Sequence, residues 1–271
     1  MAAPTEKVLP YGLRYASVFE LNANGTPKGT THTAGYEGLQ FKGSTAFDMT
    51  VPDARKLTGL GEDGITQVVF LPPQEGIDAV LNVEAADPAL IALLDGTKAE
   101  TLGETTIMGG GTNKQGFEPR VGLMLYQAAR GLETGASYWR TIIIPSAQIV
   151  RKPGSMTAEK SITQYQVAPN RTRKHLWGPA FSNATNGFTH GQFIEVWSNY
   201  PLRLAAFVGN NSAVEFPFPA TTPAVSTDGV MVFVNDAPVT TGITKAVDDL
   251  TFAVAPAPGA RIVILREIAG L

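Results

Sequence analysis

What most limits the fold of this chain is the recurrence of two-residue alternation between apolar and polar positions. In the segment "GLRYASVFE", Leu13, Tyr15, Ser17 and Phe19 fall on one side and Arg14, Ala16, Val18 and Glu20 on the other. Side chains alternate in this way only on an extended strand, so the segment predicts a half-buried β-strand. The pattern returns at Val121, Leu123 and Leu125, then at Thr163, Tyr165 and Val167. It returns again in "QFIEVWSNYPLRLAAFV", where Phe193, Glu195 and Trp197 oppose Ile194 and Val196 before Pro201 breaks the run. The 28 glycines and 19 prolines supply the turns that many short strands need. One segment departs from the pattern. "ADPALIALLDG" has Leu90, Leu93 and Leu94 at helical spacing, with Asp87 at the N-cap, Pro88 in the first turn and Gly96 past the end. The expected class is mainly β, with one α-helix over about 87–95.

Two domains are expected. Residues 1–200 would form the larger β domain, opening with a loose arm over 1–12. Within it, 40–76 reads as two strands flanking a long polar excursion, "PDARKLTGLGEDG" from Pro52 to Gly64. Pro145 predicts an edge or a bend in "SYWRTIIIPSAQIV". Residues 201–271 would form a small β-sandwich. Its strands "VMVFV", "LTFAVA" and "RIVILRE" are set off by "NDAP" and "APAPGA". Val230, Val232 and Val234, Leu250, Phe252 and Val254, and Ile262 and Ile264 would close a core of their own.

Several chemistries find no support. Cysteine is absent, so disulfides and thiolate catalysis are excluded, which fits folding in a reducing compartment. The first residues lack a basic and then apolar leader, and no apolar run approaches the roughly 20 residues that span a bilayer. The net charge of −3 gives no global attraction to nucleic acid. "GLGEDG" at 59–64 matches a dinucleotide fingerprint in letters, but "ITQVVF" after it reads as a strand where that fingerprint needs a helix. "GGGTNKQG" at 109–116 lacks the glycine–lysine ending of a phosphate loop. His32, His175 and His190 show no metal-ligand spacing. No G-x-S-x-G elbow occurs, although a spatial triad or carboxylate pair leaves no local mark. Trp139, Trp177 and Trp197 could form a sugar platform or pack in a core. No catalytic, cofactor-binding or metal-binding residue is therefore assigned.

Charge is segregated along the chain. Residues 48–104 carry eleven acids against Arg55, Lys56 and Lys98, whereas 140–174 carry seven bases against Glu159. The two stretches could balance within one subunit. Alternatively, the basic one, with Arg151, Lys152, Arg171, Arg173 and Lys174, could meet the acidic surface of a neighbouring copy.

The order and spacing of "GLRYASVFELNANGTP", the long loop before "ITQVVFLPP", the helix "DPALIALLDG" and "GFEPRVGLMLYQAARGLETGASYWRTIIIPSAQI…KSITQYQVAPN" resemble the major tail tube proteins of long-tailed, siphovirus-type bacteriophages, over about residues 10–200. The terminal stretch resembles β-sandwich modules appended to phage tail and fibre proteins. The resemblance implies two packed β-sheets beside one helix, and six subunits in a ring. Stacked rings would form a tube in the virion tail that conducts DNA, made in the host bacterial cytoplasm. It implies a loop at about Val51–Gly76, including Pro52, Asp53, Arg55, Lys56, Glu62 and Asp63, that reaches the next ring. The implied partners are further copies of the chain, the tape measure and tail terminator proteins, and DNA in transit, with no membrane and no cofactor. The alternatives are a fibre or adhesin module that binds a receptor or glycan, and a β-rich hydrolase.

Overall fold

A computed structural model of the chain describes residues 6–23, 25–31, 35–42, 44–50, 55–61, 64–71, 77–83, 88–97, 99–102, 105–108, 119–156, 161–170, 192–220, 222–235 and 237–270. The fold is mainly β with one α-helix. The larger part runs β1 (Val8–Glu20), β2 (Leu39–Lys42), β3 (Ser44–Thr50), β4 (Arg55–Gly61), β5 (Gly64–Leu71), β6 (Asp78–Val83), α1 (Pro88–Asp95), β7 (Ala99–Leu102), β8 (Thr105–Met108), β9 (Arg120–Gly131), β10 (Ser137–Met156), β11 (Ser161–Pro169) and β12 (Ile194–Ser198).

One large antiparallel sheet has the order β2-β1-β9-β10-β11-β6-β3, with β12 beside β10. Its two outermost strands, β2 and β3, are separated in sequence by residue 43 alone. The sheet therefore curls until its ends meet, and the chain itself joins them as a barrel wall. Alternate residues point inward: Ala16 and Val18, Leu123 and Leu125, Ile142 and Ile144, Tyr165 and Val167, and Leu81 and Val83 are all buried in one cluster. Leu90 and Leu94 of α1 join that cluster, so the helix stoppers the barrel at the end where Ile149 lies. The helix ends as its glycine requires. Gly96 adopts φ +65°, its N–H donates to the Leu93 carbonyl at 3.3 Å, and the Thr97 N–H donates to that of Ala92 at 2.8 Å. This crossed pair of bonds satisfies carbonyls that would otherwise lack donors.

β10 shows how a proline fits within a sheet. Residues 139–143 pair with β12 and residues 147–156 with β11 along the same edge. Pro145 lies at the changeover, and the opposite ladder to β9 is shifted between Ile144 and Ala147. No ladder therefore asks for the missing N–H.

The remainder comprises β13 (Leu202–Val208), β14 (Glu215–Pro217), β15 (Val230–Val234), β16 (Ala237–Pro238), β17 (Ile243–Lys245), β18 (Asp249–Phe252) and β19 (Arg261–Glu267). These form a four-stranded sheet, β13-β19-β15-β16, facing a three-stranded one, β14-β18-β17. Between them lie Phe207, Phe216 and Phe252, packed edge-to-face at 5.1 and 5.5 Å, with Val232, Leu250 and Ile264. The opposite face of the four-stranded sheet packs Leu202, Leu204, Val263 and Leu265 onto Phe19, Met124, Tyr126 and Ile143 from the outside of the barrel. β19 is thus covered on both faces.

Three expectations change, and one hairpin lies where none was stated. The arm over 1–12 is strand from Val8 onward, paired with Gly131 to Ala128 of β9. The polar excursion contains β4, which its glycines and charges concealed. β7 and β8 form a hairpin in a stretch whose sequence shows no alternation. The terminal sandwich has the core expected of it except at Val254, which is 80% exposed because β18 stops at Phe252, and it adds a second apolar face shared with the barrel.

Candidate assembly interface

β4 and β5 pair with each other over Arg55↔Leu71 to Gly61↔Gly64. Among the described residues neither joins another sheet. This hairpin is inserted between β3 and β6, which are antiparallel neighbours with Thr50 opposite Asp78. The barrel wall could therefore be completed by a short turn from 50 to 78, and the chain instead extends an arm of two strands. An isolated two-stranded hairpin is marginal in water because neither face nor edge is covered. The strand sequence "ITQVVFL" is mainly apolar. Arg55 and Lys56 lie at the start of β4, while Pro52, Asp53, Glu62 and Asp63 lie outside the described residues. The first three residues of "GLGEDG" end β4 and its last begins β5, so a strand follows where a pyrophosphate site needs a helix.

The charged stretches are less separate in space than in sequence. β11 of the basic stretch is the direct neighbour of β6 in the acidic one. Arg151 on β10 donates to Asp95, at the end of α1, at 2.9 Å. One pair of opposite charges is thus matched within the subunit. Burial raises the pKa of the Tyr165 hydroxyl, and the Asp95 carboxylate adds to the rise. Lys152 is half-buried, and Arg171, Arg173 and Lys174 lie outside the described residues.

Among the described residues, two clefts lie beside the barrel. The first, about 310 Å³, opens at the end opposite α1, where β1 and β3 part. Leu13, Phe47, Met49 and Ile142 line it. Arg140 at its rim donates to Gln127 at 3.1 Å and to Glu195 at 2.8 Å. The indole of Trp197 donates to Glu195 at 2.7 Å and also lies under the Arg140 guanidinium, 5.7 Å from ring centre to Cζ. These donors hold the Glu195 carboxyl below its ordinary pKa, Arg140 first. The second cleft, about 300 Å³, lies over Ala128 between Tyr11, Tyr15 and Trp139. Trp177 lies outside the described residues, as do His32, His175 and His190. Among the described residues no three metal-ligating side chains converge, and no helix is long and apolar enough to cross a membrane.

Sequence reasoning missed one polar cluster. The strap between β1 and β2 crosses to the sandwich and docks on the outer edge of β13. Tyr36 and Ala206 exchange both backbone bonds, at 3.1 and 3.0 Å, and the Val208 N–H donates to the Thr30 carbonyl at 2.8 Å. The contact is close. A Cβ on Gly29 would come within 2.6 Å of the Phe207 backbone. Next to it, the buried Arg266 binds the Glu37 carboxylate and the Thr222 hydroxyl. Only the charged end of "RIVILRE" hinted at this, and nothing around Glu37 did.

Neither protein-family models nor curated proteins yield a match to the chain.

Proposed function

We propose that this chain is a non-catalytic structural subunit that assembles with copies of itself into stacked rings, as in the tail tube of a long-tailed bacteriophage. The observation that carries this reading is the β4–β5 arm, a hairpin extended from the barrel wall and paired with nothing else among the described residues. A neighbouring copy is its natural partner, because a strand edge with no strand beside it is a template for pairing with another chain. The expected partners are further copies, tape measure and terminator proteins, and DNA passing through the lumen. The expected location is the virion tail. Among the described residues the side of the curled wall that faces its own core is lined mainly by apolar side chains, which suits a scaffold and favours this reading over a hydrolase.

Negative-stain microscopy of the purified full chain tests it. Rings or tubes of uniform diameter support the assignment. A dispersed monomer at every concentration and salt tried would count against it.

A further inference from the structure

The cleft over Ala128 has a construction that tube assembly does not require. Ala128 on β9 lies opposite Tyr11 of β1 on one side and Trp139 of β10 on the other. Three adjacent strands therefore present the row Tyr11–Ala128–Trp139. Directly opposed residues stand roughly 5 Å apart, which roots the two aromatic side chains about 10 Å from each other with a methyl group as the floor. Such a slot admits one saturated six-membered ring between two aromatic walls. Trp139 and Tyr15 are half-buried and packed against the core beneath, so these walls are held before any ligand arrives. Tyr11 is 45% exposed and forms the open side.

The rim is polar. Ser137 and Tyr138 border it, and the Tyr138 hydroxyl is fixed by donating to Glu6 at 3.1 Å. Arg14 lines the cleft with its guanidinium 5.8 Å from the Tyr11 ring centre. Among the described residues it faces no carboxylate. A ring with an apolar face, several hydroxyls and one negative charge matches this set.

We propose that this cleft binds an acidic hexopyranose, a uronate unit of a polysaccharide. Tyr11 and Trp139 stack on the faces of the sugar, Ala128 admits it, and Arg14 pairs with its carboxylate. The site belongs to the surface of one subunit and stands whether or not the chain forms a tube.

Saturation-transfer NMR with trigalacturonate, and with maltotriose as the neutral probe, tests this on the full-length protein. Transfer to trigalacturonate is expected, weakening as salt rises because Arg14 is exposed. Maltotriose should bind more weakly. Tyr11→Ala and Ala128→Leu should each weaken binding about tenfold, and Arg14→Gln should abolish the preference for the acidic probe. Thermal melting confirms that each variant is folded, and Tyr11→Ala alters an exposed side chain should Ala128→Leu fail to fold. Absence of transfer to trigalacturonate, or transfer unchanged in Tyr11→Ala, would overturn the proposal. Normal rings from a Tyr11→Ala protein that no longer binds sugar would separate this site from assembly.

Discussion

Arg266 and Glu37 are 229 positions apart in the chain and are joined by a hydrogen-bonded ion pair in which the arginine side chain is fully buried. The same guanidinium donates to the Thr222 carbonyl and hydroxyl, each at 3.0 Å, and lies 4.6 Å from the Phe218 ring centre. Burial lowers the Arg266 pKa to about 9, so it remains charged at neutral pH. The pair ties the strap after β1 to the last strand of the fold.

Removing one partner should therefore cost more than removing both. Glu37→Ala leaves a buried cation without its anion and should destabilise by about 3 kcal/mol or more. The pair Glu37→Leu with Arg266→Met should cost less than either single change to alanine. Urea unfolding of the singles and the double checks this. Equal and additive losses would show that the two residues act independently.

The sandwich should not be removable without consequence. Ending the chain at residue 201 uncovers Phe19, Met124, Tyr126 and Ile143, each worth about 1.5–3 kcal/mol of burial. Their sum rivals the whole 5–15 kcal/mol margin of an ordinary domain. The truncated protein should bind a hydrophobic dye strongly or precipitate. A monomeric, cooperatively melting 1–201 fragment would contradict the shared core.

Glu6 should make the β9–β10 turn sensitive to acid. Its carboxylate accepts from the backbone N–H groups of Glu133 and Thr134, both at 2.9 Å, and from the Thr134 and Tyr138 hydroxyls. The Thr134 bonds lead in lowering its pKa from 4.5 to about 2. A depressed carboxylate pKa stabilises the fold above the unfolded value and loses that effect as pH falls through the folded one. Once intrinsic exchange is corrected for, protection of the Glu133 and Thr134 amides should be complete near pH 5 and decline towards pH 2. In Glu6→Gln that decline should vanish.

Much of the fold was legible because alternation is a local signal. β11 has the buried and the open face that its alternation announces, whereas β9 and residues 16–19 of β1, read as half-buried, are covered on both faces, by the barrel interior and by the sandwich. The α1 boundary at Gly96 was equally local, since only the left-handed turn and its two bonds were needed. β19 was misread for an instructive reason. "RIVIL" is a continuous apolar run, the mark of a strand covered on both sides. Reading only Ile262 and Ile264 as core left Val263 and Leu265, and so the junction with the barrel, unnoticed. The strap, the closure through β2 and β3, and the Glu37–Arg266 pair depend on contacts between distant positions that no window of sequence contains. Charge left two readings open, and the neighbouring strands β6 and β11 with the Arg151–Asp95 pair fit the one in which the stretches balance within one subunit.

The arm decides the proposed assembly, and the sheet offers a clean way to remove it. Because Thr50 and Asp78 stand opposite each other, residues 51–77 can be replaced by Asn-Gly, which favours the two-residue turn that joins antiparallel strands. Sedimentation velocity of this variant beside the full chain, with melting as the check on folding, is the most direct measurement. The tube assignment predicts large assemblies for the full chain and a folded monomer for the variant. Assemblies of the same size from both proteins, or a monomer from both, would contradict it.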